Sequence, residues 1–434
     1  MKKLNYLFGA LALAGFIACS SNEEVSNVEA VQQRALTSTP IGFSPLTKAS
    51  TRSTIINTTS DISSFKVRGT WNSQAAELLN SADETYKDSI WIAGERKHKG
   101  TGEGDINVTA GGVYQGFSTG LEIVNSNGWN YKNSSEMQYW PYYASSVTGT
   151  ENKKVTAYAC LPLDFNAVAP ANAGIDLTAT EFNYTGVPVA SMVDICYATA
   201  QNQTSSPVEM KFNHIFSQLV VKVKKASGYT VDIKEVKIGG VRSGGTLTLS
   251  AVTNAAGKAQ WGTVSEPVTS YALFSSATPY SVPNSAASES ASQMTPSGQE
   301  LLLVPQSIEA WNPNAASASA TNSNKGYIAI TYRAKKSDVT EWATASGDGY
   351  TTTYFPLQAK WYMGRLYIYT LLFGGVSDPD KPTSPDEENP NPGSGEGTNP
   401  GGYTEDGSVK APSVPITFTA KVDEWAPQVV DVNF

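Results

Sequence analysis

Gly116-Phe117-Ser118-Thr119-Gly120 matches G-x-S-x-G, the turn that carries a serine nucleophile in α/β hydrolases. That chemistry needs a strand-to-helix elbow, followed along the chain by an acid and a histidine. The surrounding "GGVYQGFSTGLEIVNSNG" reads instead as strand, turn and strand. The chain has two histidines. His98 lies in the basic loop "ERKHKG". His214 alternates with Phe212 and Phe216, the pattern of a core or interface residue. Cys160 and Cys196 occupy apolar, strand-like runs, "YACLPL" and "DICYAT". An oxidising compartment permits a bridge between them; two buried free thiols are the other reading. This set lacks ordinary metal-ligand spacing, so no metal is expected. "NPGSGEGTNPGG" is glycine-rich but follows no strand and reads as linker, not phosphate loop. No catalytic residue and no cofactor is expected.

The third cysteine has a different context. Lys2 and Lys3 precede an apolar run from Leu4 to Ala18, a charged and then a hydrophobic region too short to span a bilayer. The run ends Phe16-Ile17-Ala18-Cys19, which resembles the bacterial lipobox, with Phe where Leu is usual. The resemblance implies a signal peptide over 1–18 and acylation of Cys19. Several acyl chains anchor stably, at about 0.8 kcal/mol for each buried CH2. Ser20-Ser21-Asn22-Glu23-Glu24 follows, similar to the surface-export signal of some Gram-negative lipoproteins.

Composition points to strands. Gly, Thr, Ser, Val and Tyr are abundant, and 40% of the residues are hydrophobic, enough for real cores. The net charge is −8, and no basic face for nucleic acid is visible. Most of that charge sits between Val376 and Pro415, where eight acids meet two lysines. It therefore describes a solvated segment and not a binding surface. Short alternating runs separated by Gly, Pro and Asn predict an all-β chain of two tandem β-sandwiches. The boundaries read as a polar tether over 19–37, a first sandwich over 38–205, a second over 206–375 and an acidic Pro/Gly linker over 376–414. "VEMKFNHIFSQLVVKVKK" opens the second unit, with a one-residue slip after Phe216 that reads as a bulge. Ser275 to Ser297 reads as a loop.

After the linker, "ITFTAKVDEW" alternates strictly, with Ile416, Phe418, Ala420 and Val422 on one face. "VVDVNF" continues with Val430, Val432 and Phe434. A hairpin over 415–434 is not stable alone. It completes either its own second sandwich or a neighbour's.

Taken in order, these features resemble the fimbrillin family, the type V pilins and their surface-lipoprotein relatives. They are the Cys19 signal, two sandwiches, "FNHIFSQLVVKVK", "WYMGRLYIYTLLFGG", the acidic linker, "ITFTAKVDEW" and a final "VDVNF". The resemblance implies transthyretin-like sandwiches on an outer-membrane lipoprotein exported to the cell surface. It also implies a trypsin-like, arginine-specific protease that cuts behind the first strand, and a strand from another pilin subunit that fills the opened groove. In this sequence the cut falls after Arg52, with Arg34 as the alternative, and Ile41 and Phe43 form the displaced strand. Ile416, Phe418, Ala420 and Val422 are the first candidates for the donor strand, and Val430, Val432 and Phe434 the second. The rival function is a non-polymerising surface protein that binds a glycan or host ligand. The aromatic run containing Trp140, Tyr142 and Tyr143 would be its platform, or else would fill a sandwich core.

Overall fold

The computed structural model describes residues 42–46, 62–71, 89–92, 95–98, 121–134, 155–161, 181–203, 207–248, 260–262, 264, 268–286, 288–296, 300–342, 348–376, 402–410 and 415–424. Among them the ordered elements are β strands, with short 3-10 turns such as Val189–Ser191. In the first half the strands are β1 (Phe43–Leu46), β2 (Ser64–Trp71), β3 (Ser89–Ile92), β4 (Glu95–His98), β5 (Leu121–Asn125), β6 (Trp129–Tyr131), β7 (Val155–Leu161), β8 (Glu181–Tyr184), β9 (Cys196–Gln203), β10 (Val208–Lys211) and β11 (Asn213–His214). Six of them form one sheet in the order β11-β9-β7-β2-β5-β6.

Period-two alternation decides what this sheet hides. Phe65, Val67, Leu121, Ile123, Ala157, Ala159, Cys196 and Ala198 are buried on one register face. Phe43, Val208, Met210 and Phe212 are buried on β1, β10 and the residue after β10. The Phe65 ring lies 5.4 Å from that of Phe212 and 5.4 Å from that of Trp129. Cys160 is opposite Tyr197, whereas Cys196 is opposite Leu161, so the two cysteines lie on opposite faces. Both are buried free thiols.

The second half contains β12 (Ser217–Lys225), β13 (Tyr229–Arg242), β14 (Gly245–Thr248), β15 (Gln260–Trp261), β16 (Val268–Ser281), β17 (Ser292–Gln293), β18 (Leu301–Leu303), β19 (Ser307–Ile308), β20 (Tyr327–Lys336), β21 (Thr351–Pro356), β22 (Ala359–Lys360), β23 (Arg365–Phe373) and β24 (Ile416–Glu424). One sheet runs β17-β12-β23-β24, with β18 also on β12; another runs β16-β13-β20-β21. They enclose one core that includes Leu219, Val221, Val223, Ile238, Ile330, Tyr369 and Leu371. Strand β13 keeps Val231, Ile233, Val236, Ile238 and Val241 buried despite irregular spacing, because register shifts occur between Ile233 and Glu235 and between Gly239 and Val241. Gly240 makes the second possible. Its φ is +72°, and a Cβ there would lie 2.1 Å from the Lys325 carbonyl oxygen.

Three sequence expectations change. The boundary at 205/206 is crossed by pairing: β10 lies parallel to β1 and β11 antiparallel to β9, so the chain stays with the first sheet as far as His214. The slip after Phe216 is therefore the passage from β11 to β12, between sheets, and not a bulge within one strand. The expected Ser/Ala loop is partly structured. Ser275 to Ser281 ends the fourteen-residue β16, and Ser292–Gln293 pairs with β12. Serine and alanine can occupy a strand when an adjacent strand supplies the hydrogen bonds, as β13 does for β16 and β12 for β17.

The two halves also share a sheet. Strand β8 pairs with β14, which pairs with β15. Behind this joint Tyr184 packs on Phe216, with ring centroids 4.8 Å apart, and Trp261 Nε1 donates to the Ile215 carbonyl at 2.6 Å. Cys160 belongs to the same cluster, and burial pushes its thiol from 9.0 up to about 12.

Two outcomes are expected. Gly240→Ala adds a strained backbone and a carbonyl clash, so urea unfolding should give a loss of about 2–4 kcal/mol. The unfolded chain ionises its thiols from about pH 9, while the folded Cys160 thiol stays neutral until about 12. Its contribution is thus complete below pH 9 and is lost as pH rises towards 12. Equilibrium unfolding between pH 8 and 11 should show a steeper fall for the native chain than for Cys160→Ala.

Candidate functional site

Strand β24 is held by nine residue pairs along β23, from Arg365 opposite Glu424 to Phe373 opposite Ile416. The register places Ile416, Phe418, Ala420 and Val422 opposite Phe373, Leu371, Tyr369 and Tyr367. Those four β23 residues are fully buried, and Ile416 is buried in the same core. The strand thus continues the period-two pattern of the sandwich. Among the described residues it also ends the sheet order, beside β23. Trp361 Nε1 donates to the Tyr369 hydroxyl at 2.9 Å, which satisfies two polar groups inside this apolar layer.

Part of the expected linker is folded against the same sandwich. In "GGYTEDGSVK" Asp406 accepts hydrogen bonds from Thr404 Oγ1 and, at 3.1 Å, from the Ser408 amide. The Thr404 bond heads the causes that hold the Asp406 carboxyl below its ordinary range. Gly407 takes φ +88°, as the turn requires. This local turn presents Tyr403 to the domain. Tyr403 and Tyr354 exchange both backbone hydrogen bonds, each 2.9 Å. The Tyr403 ring stands edge-on to Trp311 with centroids 6.0 Å apart. Ala320 donates its amide to the Glu405 carbonyl at 2.9 Å. Lys410 Nζ donates to Thr351 Oγ1 at 2.7 Å, and burial lowers its pKa.

Residues 402–410 therefore act as a clip just ahead of β24. Only residues 411–415 separate clip from strand, roughly 17 Å of chain at about 3.4 Å per residue. A linker free from 376 to 414 would let the strand reach far, on the order of 100 Å. The clip removes most of that reach. Sequence reading missed it because acid and proline density dominated. The D-G turn after an aromatic was the available signal.

At the other end of the chain, Phe43 is buried on β1, with its ring 6.1 Å from that of Tyr131. Strand β1 makes a short parallel pairing with β10, Phe43 opposite Val208 and Pro45 opposite Met210. Cys19, Arg34, Ile41, Arg52, Trp140, Tyr142, Tyr143, Val430, Val432 and Phe434 lie outside the described residues, as does the G-x-S-x-G run at 116–120. Trp129 and Tyr131, from the same aromatic-rich stretch, pack on Phe65 and Phe43.

The structure also gathers Asp194, Cys196 and His214 on the first sheet, where all three are buried. His214 Nδ1 lies 3.0 Å from Asp194 Oδ1 and 3.4 Å from Cys196 Sγ. A nucleophile–base–acid relay uses both imidazole nitrogens, one for each neighbour. Here both neighbours meet the same nitrogen, so the trio is not arranged as such a relay.

The clip generates one expectation. Tyr403→Ala removes an aromatic contact while the backbone bridge to Tyr354 can persist. Chemical denaturation should register a loss of about 1–3 kcal/mol. Hydrogen exchange should show faster exchange of the Tyr354 amide. Unchanged exchange there would mean that the ring does not hold the clip.

Comparison with known proteins extends the picture. No curated protein matches the chain. Among solved structures, a fimbrial protein from Bacteroides vulgatus is 13% identical and aligns over 89% of this chain and 99% of its own, with a TM-score of 0.49. The tip fimbrial protein Mfa3 from Porphyromonas gingivalis, in a C-terminally truncated form, is 8% identical and aligns over 84% and 94%, with a TM-score of 0.30. The family model described as fimbrillin-like matches residues 86–384, more than half of the chain, so the protein belongs to the fimbrillin-like family.

Proposed function

We propose that this chain is a structural subunit of a cell-surface pilus that serves adhesion. It reaches the outer membrane as a lipoprotein acylated at Cys19 and is exported to the surface. A trypsin-like, arginine-specific protease cuts after Arg52, with Arg34 as the lesser candidate. The fragment that leaves carries Ile41 and Phe43. The observation that carries this reading is the place of β1. Among the described residues it is a four-residue strand paired with β10, and it lies beside the buried Val208 and Met210. Its departure removes few hydrogen bonds and uncovers an apolar groove.

The incoming strand would be the C-terminal one of another copy. Ile416, Phe418, Ala420 and Val422 supply an apolar stripe on a strand that ends its sheet order. Main-chain hydrogen bonds and alternate side chains in pockets supply the affinity of such strand addition. Val430, Val432 and Phe434 are the second candidate. Exchange from the home position gives up the nine-pair ladder with β23, and the clip at Tyr403 restrains the strand's reach. A donor lying beyond β24 would avoid that cost, which is an argument for the terminal residues.

The same ladder favours a second reading, a surface lipoprotein that does not polymerise and binds a glycan or host ligand. Trp140, Tyr142 and Tyr143 would be its platform. Among the described residues Trp342 and Tyr350 also lie near the surface. The Arg333 guanidinium stands 4.2 Å from the first ring centroid and 4.8 Å from the second, so a sugar would have to displace a cation there.

Incubation with a trypsin-like protease, mass spectrometry of the new N-terminus and an unboiled SDS gel test the proposal. Strand exchange predicts a terminus at Ser53 with a high-mass ladder. Cutting without oligomers, or resistance at Arg52, would sink it and leave the non-polymerising reading. That reading predicts loss of ligand binding in Trp140→Ala.

A further inference from the structure

We propose that Asp194, Cys196 and His214 form a zinc site that ties β11 to β9 where the chain leaves the first sheet. The argument starts from the strand register. His214, the last residue of β11, is the cross-strand partner of Cys196, the first residue of β9. Asp194 lies two residues before Cys196, and its carboxylate meets the same imidazole. A carboxylate oxygen, a thiol sulfur and an imidazole nitrogen come together, all within 4.8 Å of one another. Asp194 is 3% exposed, Cys196 1% and His214 6%.

The spacings are those of hydrogen bonds and lie a few tenths of an ångström short of those around a zinc ion. Zinc bonds of about 2.0–2.1 Å to nitrogen and oxygen and about 2.3 Å to sulfur, at tetrahedral angles, put N and O about 3.3 Å apart and N and S about 3.6 Å apart. His214 Nδ1 is 3.0 Å from Asp194 Oδ1 and 3.4 Å from Cys196 Sγ, so small side-chain adjustments open the space. As a donor, the ring nitrogen can serve Asp194 Oδ1 with the Cys196 sulfur as a weak second acceptor beside it. A cation would instead engage all three atoms as ligands.

Charge leads to the same conclusion. On binding, the Cys196 thiol gives its proton to water and coordinates as thiolate. Zn2+ with one thiolate, one carboxylate and a neutral imidazole is then uncharged overall, which lowers the penalty for burying the carboxylate. The mixed soft and borderline donors suit zinc, whereas calcium and magnesium prefer all-oxygen sites. Three protein donors leave a fourth position for water.

The position gives the site a purpose. The segment just past His214 passes from the first sheet to the second. The Ile215 amide donates to the Ile195 carbonyl at 3.0 Å, the Ile215 carbonyl accepts from Trp261, and Ser217 Oγ donates to the Tyr362 carbonyl at 2.8 Å. A metal tying β9 to β11 would stiffen this crossing.

The full chain, stripped with chelator and refolded with Co2+, should bind one equivalent and develop a thiolate-to-cobalt absorption band. Elemental analysis after refolding with Zn2+ should give one zinc per chain. Cys160→Ser should keep both signals, and Cys196→Ser should lose the band and at least tenfold in zinc affinity. His214→Gln should lose affinity as well. The inference is overturned if the native chain binds less than about a tenth of an equivalent. It is also overturned if Cys196→Ser folds and binds as the native chain does, or if Cys160→Ser abolishes the band. Should Cys196→Ser fail to fold, the band in the Cys19→Ser, Cys160→Ser double variant decides alone, because only a thiolate produces it and Cys196 is then the one left.

Discussion

Every amide and carbonyl of β23 has to find a partner, because the strand runs through the middle of an apolar core. Two neighbours meet that requirement, β12 in parallel on one side and β24 in antiparallel on the other. The first supplies eight residue pairs and the second nine. Much of the core between these two sheets follows from this. Residues 365–373 can be almost wholly apolar only because neither edge is left open. The strand that closes the second edge comes from beyond an acidic, proline-rich segment. A distant piece of chain thus completes a core built more than forty residues earlier.

That dependence links stability and function. A strand that completes a sheet from a remote position can, in principle, be supplied by another molecule, and this is the physical basis of assembly by strand addition. The same strand is costly to remove once paired at home. The clip at residues 402–410 strengthens the home arrangement, because it shortens the tether and so raises the local concentration of β24 at its own edge. At the other end, among the described residues, β1 is held by a short parallel pairing with β10, a weaker attachment than the ladder of β24. The two ends therefore differ in how firmly each is held.

The joint between the halves adds a further constraint. Strand β8 leaves the first half to pair with β14, and Tyr184, Phe216 and Trp261 fill the space behind it. Load passing from one half to the other would be borne by a packed aromatic cluster and a shared sheet, and not by a single connecting loop. A buried trio of polar side chains at this crossing stands out, since burying such groups is worthwhile only where they are fully partnered.

The sequence alone determined the all-β class and the apolar stripe of β24, because a period of two in hydrophobicity reports directly which residues a sheet must bury. The family resemblance was legible in the order of its segments, and the family match over residues 86–384 agrees with it. Tertiary structure decided what local pattern does not encode. Only pairing across long separations put β11 on the first sheet, and so moved the crossing from 205/206 to just past His214. Only the Tyr354 edge and the Trp311 ring turned residues 402–410 from expected linker into a docked turn. The trio of Asp194, Cys196 and His214 was invisible for the same reason. Its members come together through the β9–β11 register, and a register is a property of two strands that neither strand's sequence states by itself.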